Sequence, residues 1–105
     1  MLFYDSPNPA PNPRRVRIFA AEKGIDLPRE EVSILKAEHR SEAYRAINPL
    51  GQTPALRLDT GAVLTESVAI CRYLEALHPQ PALFGSDPVD AATIEMWVRR
   101  IELRL

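Results

Sequence analysis

Apolar and polar residues follow one another along the chain with periods that change at definite points, and these changes predict the order of its elements. A short apolar run at residues 2–4 predicts a strand. From Arg14 the apolar residues fall on one helical face, and Gly24 predicts the end of that helix because glycine takes up the left-handed conformation without strain. Alternation at residues 29–35 predicts a second strand. The helical crossover between the two strands predicts that they lie parallel.

The middle of the chain predicts a second helix, a hairpin and a third helix. Ser41 is the expected N-cap of a short helix. Residues 55–58 and 62–64 predict two antiparallel strands, since the short turn between them contains a glycine. A longer helix follows over residues 66–78. The order β-α-β, α, β-hairpin, α predicts an α/β domain with a mixed four-stranded sheet of the thioredoxin-like type.

The last part of the chain predicts a domain boundary. Residues 79–88 predict a linker, because closely spaced prolines interrupt regular structure. The linker would separate a first domain, residues 1–78, from an amphipathic helix over residues 89–105 that carries Trp97 on its apolar stripe. Since this stripe faces nothing obvious in the first domain, we expect the helix to be the first of an all-α domain that is truncated here.

Composition narrows the class of protein. The chain has 105 residues, of which 46% are hydrophobic, and its net charge of −1 comes from interspersed acids and bases, which argues against a nucleic-acid partner. It shows neither a membrane-spanning apolar run nor a secretion signal, and its single cysteine, Cys71, suits a reducing compartment, so we expect a cytoplasmic protein. His39 and His78 stand apart without a cysteine cluster, and no metal site is predicted.

Two segments carry the densest chemical signal, N-P-L-G-Q-T-P-A-L at residues 48–56 and L-T-E-S-V-A-I at residues 64–70. A cis peptide bond before Pro54 would turn the backbone of Thr53 outward as a strand-like edge that can pair with a short peptide. Glu66 could receive an ammonium group, and Ser67 lies at a helix N-terminus, where a carboxylate is favoured. A ligand with an α-amino acid at one end and a peptide backbone in its middle fits both features, and glutathione is such a ligand.

These segments match N-P-x-G-x-x-P-x-L and E/Q-S-x-A-I, the signatures of the cytosolic glutathione S-transferase family, which the chain resembles over essentially its whole length. The R-V-R-x-x-x-x-x-K-G segment at residues 15–24 and the proline-rich loop before it resemble a fungal and bacterial theta-like branch. The resemblance implies a detoxifying homodimer that conjugates the thiolate of glutathione to a small electrophile. We expect this chain alone to bind glutathione weakly and to conjugate poorly.

The resemblance also implies roles for individual residues. Thr53, held before Pro54, would make main-chain contacts to the cysteinyl part of glutathione, while Glu66 and Ser67 would hold its γ-glutamyl end. A simpler alternative for Ser67 is that it only caps a helix, and Pro54 could be an ordinary edge-strand proline.

His39 and Gln52 match positions that contact the glycyl end of glutathione in theta-like members, and Arg40, next to His39, is added to this predicted set. His39 and Arg40 could equally be solvated loop residues. Arg15 and Arg17 are interpreted as part of a solvated helix face, and Cys71 as a buried structural thiol.

The group that activates the thiol is less evident. A free thiol has a pKa near 8.5, so the enzyme must lower it to obtain the thiolate nucleophile. Members of the family use Tyr, Ser or Cys near the start of the first helix, whereas residues 9–13 here read Pro-Ala-Pro-Asn-Pro. We therefore predict that the helix N-terminus, with Asn12 as its N-cap, stabilises the thiolate directly or through a water, and that Ser6 or Asn12 assists.

Other functions stay open. The intact binding motifs favour a ligand-binding protein, but the missing hydroxyl or thiol at the helix start is also typical of a non-catalytic glutathione-binding or protein-interaction module of the same fold. A glutathione-dependent reductase or dehalogenase would share the same site. Dithiol redox chemistry is excluded because no cysteine precedes position 71.

Overall fold

The computed structural model describes residues 1–6 and 10–104, and its centre is a mixed four-stranded sheet in the order β2-β1-β3-β4. The strands are β1 Leu2–Asp5, β2 Arg29–Glu31, β3 Ala55–Arg57 and β4 Val63–Thr65. β1 runs parallel to β2 and antiparallel to β3, and β3 pairs antiparallel with β4. The predicted thioredoxin-like arrangement is confirmed.

Helices cover both faces of the sheet. They are α1 Pro11–Glu22, α2 Glu42–Ile47, α3 Ser67–Leu77 and α4 Pro88–Arg104, with a short 3-10 turn at Glu38–Arg40. α1 and α3 pack on one face, where Phe3, Leu56 and Ile70 are fully buried. On the other face Tyr44 of α2 packs edge-on against Tyr4. Ser41 caps α2 as predicted, because its hydroxyl accepts the amide hydrogen of Tyr44.

The second strand is shorter than the predicted 29–35. It ends at Glu31, and the buried Val32 makes the last contact with β1, donating its amide hydrogen to the Asp5 carbonyl at 2.7 Å. Beyond Val32 the backbone turns on itself, since Glu38 donates to the Ser33 carbonyl at 2.8 Å. Ile34, which completed the alternating pattern, therefore lies in a turn and is 44% exposed.

The first helix begins earlier than predicted. Its N-cap is Ala10, whose methyl group cannot accept an amide hydrogen, and Pro11 is the first helical residue. Asn12 is thus inside the first turn, and the prediction that it is the N-cap is wrong. Pro11 and Pro13 both fit this turn. The amide hydrogens of a first turn have no partner within the helix, so a proline, which has no amide hydrogen, costs no hydrogen bond there. The predicted end is confirmed, with Gly24 at a φ of +68°.

The segment between α3 and α4 is fixed to the first helix by a buried lysine. Lys23, whose side chain is 0% exposed, pairs with Glu75 of α3 and donates to the carbonyl of Pro81. Glu75 in turn accepts the amide hydrogens of Leu83 at 3.3 Å and Phe84 at 3.1 Å. No helix among the described residues is long and apolar enough to cross a membrane.

Candidate functional site

A pocket of about 460 Å³ lies where the first turn of α1, the loop before β3, the start of α3 and the end of α4 meet. Its lining is rich in polar groups. The structure brings together there most of the residues predicted from the sequence, namely Asn12, Gln52, Thr53, Pro54, Glu66 and Ser67.

The loop that carries Thr53 is built by local hydrogen bonds. The carbonyl of Gln52 accepts from the Asn48 side chain at 2.8 Å and from the Tyr44 hydroxyl at 2.6 Å. Burial raises the pKa of Tyr44 to about 12, so its phenol stays protonated and keeps this bond. Gly51 has a φ of +66°, and a Cβ there would lie 2.9 Å from the His39 carbonyl oxygen. The loop therefore requires glycine at this position.

The Thr53–Pro54 peptide bond is cis, as the sequence analysis anticipated. Pro54 is buried, and it leads directly into the inner strand β3. The alternative in which it is an ordinary edge-strand proline is therefore wrong. Thr53 is partly exposed and borders the pocket.

The start of α3 has an unusual backbone. Glu66 is its N-cap and takes a φ of +69°, a value that non-glycine residues rarely adopt and that tends to occur at functional sites. Ser67 is consequently the first helical residue, so the alternative in which it only caps the helix is wrong. Its side chain is buried, and its Oγ accepts a hydrogen bond from Nη1 of Arg15 at 3.0 Å.

Ser6 lies behind the pocket wall. Its hydroxyl is fully buried, donates to the Val32 carbonyl at 2.7 Å and lies 2.9 Å from Oγ1 of Thr53. Because the single hydroxyl hydrogen of Ser6 goes to Val32, Thr53 must be the donor in the second contact. Ser6 thus fixes the side chain of Thr53.

The predicted residues His39 and Arg40 are not brought to the pocket. Both belong to the 3-10 turn behind the Gly51 loop, where Arg40 is exposed. Nδ1 of His39 is buried and has no hydrogen-bond partner among the described residues. Their contact with the glycyl end of a ligand stays a prediction.

The prediction that Arg15 and Arg17 of α1 belong to a solvated helix face is wrong. Arg15 borders the pocket and contacts Ser67 as well as Glu102 of α4. Arg17 pairs with the buried Asp5 and donates to the Ser6 carbonyl at 3.2 Å. Their partners lie on other elements, so the R-V-R spacing alone gave no signal for these contacts.

A second pocket, apolar and of about 270 Å³, lies between α1, α3 and α4. Cys71 lines it and is 2% exposed. Burial raises the pKa of this thiol to about 11, although the nearby Arg15 acts to lower it. The thiol is therefore protonated at neutral pH, as expected of a structural cysteine.

The model of the glutathione S-transferase N-terminal domain matches residues 10–77 of the chain. Maleylacetoacetate isomerase of Pseudomonas aeruginosa is 49% identical over 80 residues, which are 74% of this chain and 38% of that protein. The crystal structure of Gtt2 from Saccharomyces cerevisiae is 37% identical and covers 100% of this chain and 51% of its own, with a TM-score of 0.91.

A glutathione transferase homologue from Sulfitobacter, solved with bound glutathione, is 31% identical and covers 96% of this chain and 48% of its own, with a TM-score of 0.87. The chain spans less than half the length of the curated relatives it matches. With the family model matching well over half of its residues, the chain belongs to the glutathione S-transferase family and carries that family's N-terminal, thioredoxin-like domain.

Proposed function

We propose that the complete protein is a glutathione S-transferase that binds glutathione as a thiolate and conjugates it to a small electrophile. The observation that carries the proposal is that the first turn of α1, Thr53 and the start of α3 border one pocket. Ser67 and the N-terminus of α3 would receive the γ-glutamyl carboxylate, Glu66 the ammonium group, and the Thr53 backbone the cysteinyl residue. Gln52 borders the same pocket and would contact the glycyl end.

The thiol would point at the first turn of α1. Pro11 and Pro13 have no amide hydrogen, so within this turn the backbone donor belongs to Asn12, whose side chain also borders the pocket. Donors and the positive end of the helix favour the charged form of the thiol and so lower its pKa. The thiolate then forms a sulfur–carbon bond with the electrophile, which either expels a leaving group with its electron pair or accepts the pair by addition. Ser6 would assist through Thr53.

The site is tested by calorimetric titration with glutathione, comparing the wild type with Ser67→Ala. Loss of a hydrogen bond to a charged group should weaken binding roughly tenfold or more. Ser86→Ala, an exposed serine in the segment before α4, is the matched control and should bind like the wild type. If millimolar glutathione gives no saturable binding, the non-catalytic interaction module becomes the better account.

A second candidate activity is glutathione-dependent isomerisation. It is favoured by the 49% identity to the Pseudomonas aeruginosa maleylacetoacetate isomerase. Assays of the full-length protein with maleylacetoacetate and with a chloronitrobenzene would separate isomerisation from conjugation. Reductase and dehalogenase chemistry would require the same glutathione site and are tested by disulfide and haloalkane substrates.

We extend the proposal to the organisation of the complete protein. Residues 1–78 would form the glutathione-binding domain, 79–88 the linker and 89–105 the start of an all-α domain. A cytoplasmic homodimer is the state that the family resemblance favours, and the 53% exposed Trp97 of α4 is available to pack against further helices or a second copy.

A further inference from the structure

The end of β1 is held from behind by an ion pair. The side chain of Asp5 is 5% exposed, pairs with Arg17 of α1 and lies 3.6 Å from Arg29 of β2. Nη1 of Arg17 donates to this carboxylate and also to the Ser6 carbonyl, which lies at 3.2 Å. Since this nitrogen carries two hydrogens, it can make both bonds at the same time. The guanidinium group therefore fixes the backbone of Ser6, the residue that follows the strand.

Ser6 connects this ion pair to the loop that carries Thr53. Its hydroxyl donates to the Val32 carbonyl at 2.7 Å and accepts from Oγ1 of Thr53 at 2.9 Å. Because Ser6 is fully buried, a displaced hydroxyl would find no water to replace these partners. A continuous path of polar contacts thus runs from Asp5 through Arg17 and Ser6 to Thr53.

This path ends at the part of the site that would bind a ligand through backbone atoms. Thr53 borders the pocket, whereas Asp5, Ser6 and Arg17 do not. In strand-like pairing the amide and carbonyl of one residue must both meet the ligand at hydrogen-bonding distance and angle. The side-chain hydroxyl that anchors Thr53 belongs to the same residue, so its position limits where these backbone groups can lie.

Neutralising Asp5 does not account for all the contacts of Arg17. That role requires only the ion pair, and Arg29 supplies a further positive charge beside the same carboxylate. The bond to the Ser6 carbonyl is an additional contact, and it is the one that leads toward the pocket.

We infer that Arg17 is a positioning residue for glutathione binding and that it acts through Ser6 on Thr53. The inference rests on the proposed function, in which the backbone of Thr53 receives the cysteinyl residue. Loss of the Arg17 side chain should therefore weaken binding although the arginine itself does not border the pocket.

Calorimetric titration with glutathione tests this role. Arg17→Met should weaken binding roughly three- to tenfold, the equivalent of one net hydrogen bond. Arg17→Lys keeps a positive charge and a donor near Asp5, so its affinity should lie between that of Arg17→Met and that of the wild type. If Arg17→Met fails to fold because Asp5 is left unpaired, Asp5→Asn combined with Arg17→Met leaves no buried charge and should show the same loss of affinity.

The ion pair of Lys23 and Glu75 offers a matched control for a purely structural effect. It also joins α1 to another element and includes a buried group, but neither partner borders the pocket. Glu75→Gln should therefore destabilise the fold and still bind glutathione like the wild type at a temperature at which it is folded. If Arg17 were only structural, Arg17→Met would behave in the same way.

A double substitution tests the path itself. Thr53→Val keeps the shape of the side chain and removes the hydroxyl that contacts Ser6, so Arg17→Met should cause no further loss of affinity in that background. Wild-type affinity of Arg17→Met, or an undiminished loss in the Thr53→Val background, would overturn the inference. If Ser67→Ala were still harmful, the proposed function would stand. Absence of saturable binding by the wild type would overturn both.

Discussion

At the scale of single residues, Asn12 is the group whose chemistry matters most for the proposed activity. It is exposed, borders the pocket and stands between two prolines that lack amide hydrogens. Removing its side-chain donor with Asn12→Leu should raise the pKa of the bound thiol by about half a unit to one unit, the equivalent of one net hydrogen bond. The thiolate absorbance of bound glutathione measures this pKa, and Gln80→Leu is the control for loss of an exposed amide. An unmoved pKa would leave only the backbone of α1 to stabilise the thiolate.

Ser6 allows a second test at this scale. Its hydroxyl is 0% exposed and satisfies the Val32 carbonyl while accepting from Thr53. Ser6→Ala should lower the free energy of unfolding by roughly 1–3 kcal/mol, because buried polar partners lose their hydrogen bond. Urea unfolding measures this change. A variant of wild-type stability that had lost conjugation activity would instead mean that Ser6 acts directly on the thiol.

The predicted residues that the structure brings to the pocket and the one that the sequence did not predict there differ in what determines their position. Thr53, Pro54, Glu66 and Ser67 belong to contiguous motifs whose backbone requirements can be read locally. The role of Arg15 depends on Ser67 and Glu102, which are 52 and 87 positions away along the chain. From sequence alone, a charged residue on the polar face of an amphipathic helix is predicted to be solvated. Only the fold shows that Ser67 and Glu102 lie opposite Arg15, so no local pattern could reveal these contacts.

At the scale of elements, the clamp formed by Lys23 and Glu75 holds the segment before α4 on α1 and α3. Glu75→Gln would leave the buried ammonium group of Lys23 without a counter-charge, and this should lower the free energy of unfolding by about 3 kcal/mol. Urea unfolding again gives the measurement. Glu22→Gln, an exposed neighbour on α1, should have almost no effect. Equal effects of the two substitutions would show that the clamp contributes nothing.

The same clamp predicts a pH dependence. Burial acts to raise the pKa of Glu75, but the hydrogen bonds from Lys23 and from the amides of Phe84 and Leu83 outweigh it and hold the pKa below its usual value. A carboxyl whose folded-state pKa is lowered contributes stability that is present above its unfolded-state pKa, near 4.3, and is lost as the pH falls through the folded-state value. The stability of the wild type should therefore fall more steeply than that of Glu75→Gln as the pH drops below about 5. Parallel curves would contradict the assignment.

Element order and sheet type followed from periodicity, whereas two element boundaries did not. The strand β2 stops at Glu31 because the chain leaves the sheet into a turn, although the apolar alternation continues to Ile34. The helix α1 starts at Pro11, and the prediction missed this because both Pro11 and Pro13 suit a first-turn position, which makes Asn12, just before Pro13, resemble an N-cap. In both cases the pattern is compatible with more than one backbone path, and tertiary contacts choose between them.

At the scale of the whole molecule, α4 is less firmly integrated than the rest of the described chain. Many of its large apolar residues lie at least 40% exposed, among them Val89, Met96, Trp97, Ile101 and Leu103. The apolar pocket of about 270 Å³ remains between it and the helices α1 and α3. Its ion pairs with α1 and α3, those of Arg15 and Arg72, are partly exposed to water. Segments held by few buried apolar contacts open at lower free energy than the core.

We therefore expect the amides of α4 to exchange hydrogen well before those of α3, which contributes the fully buried Ile70 and Leu74 to the core. Hydrogen exchange followed by mass spectrometry of peptides from both helices measures the difference. Raising the salt concentration should widen it, because salt screens the exposed ion pairs of α4 and leaves apolar burial in α3 intact. Equal protection of the two helices would mean that α4 unfolds only with the whole molecule.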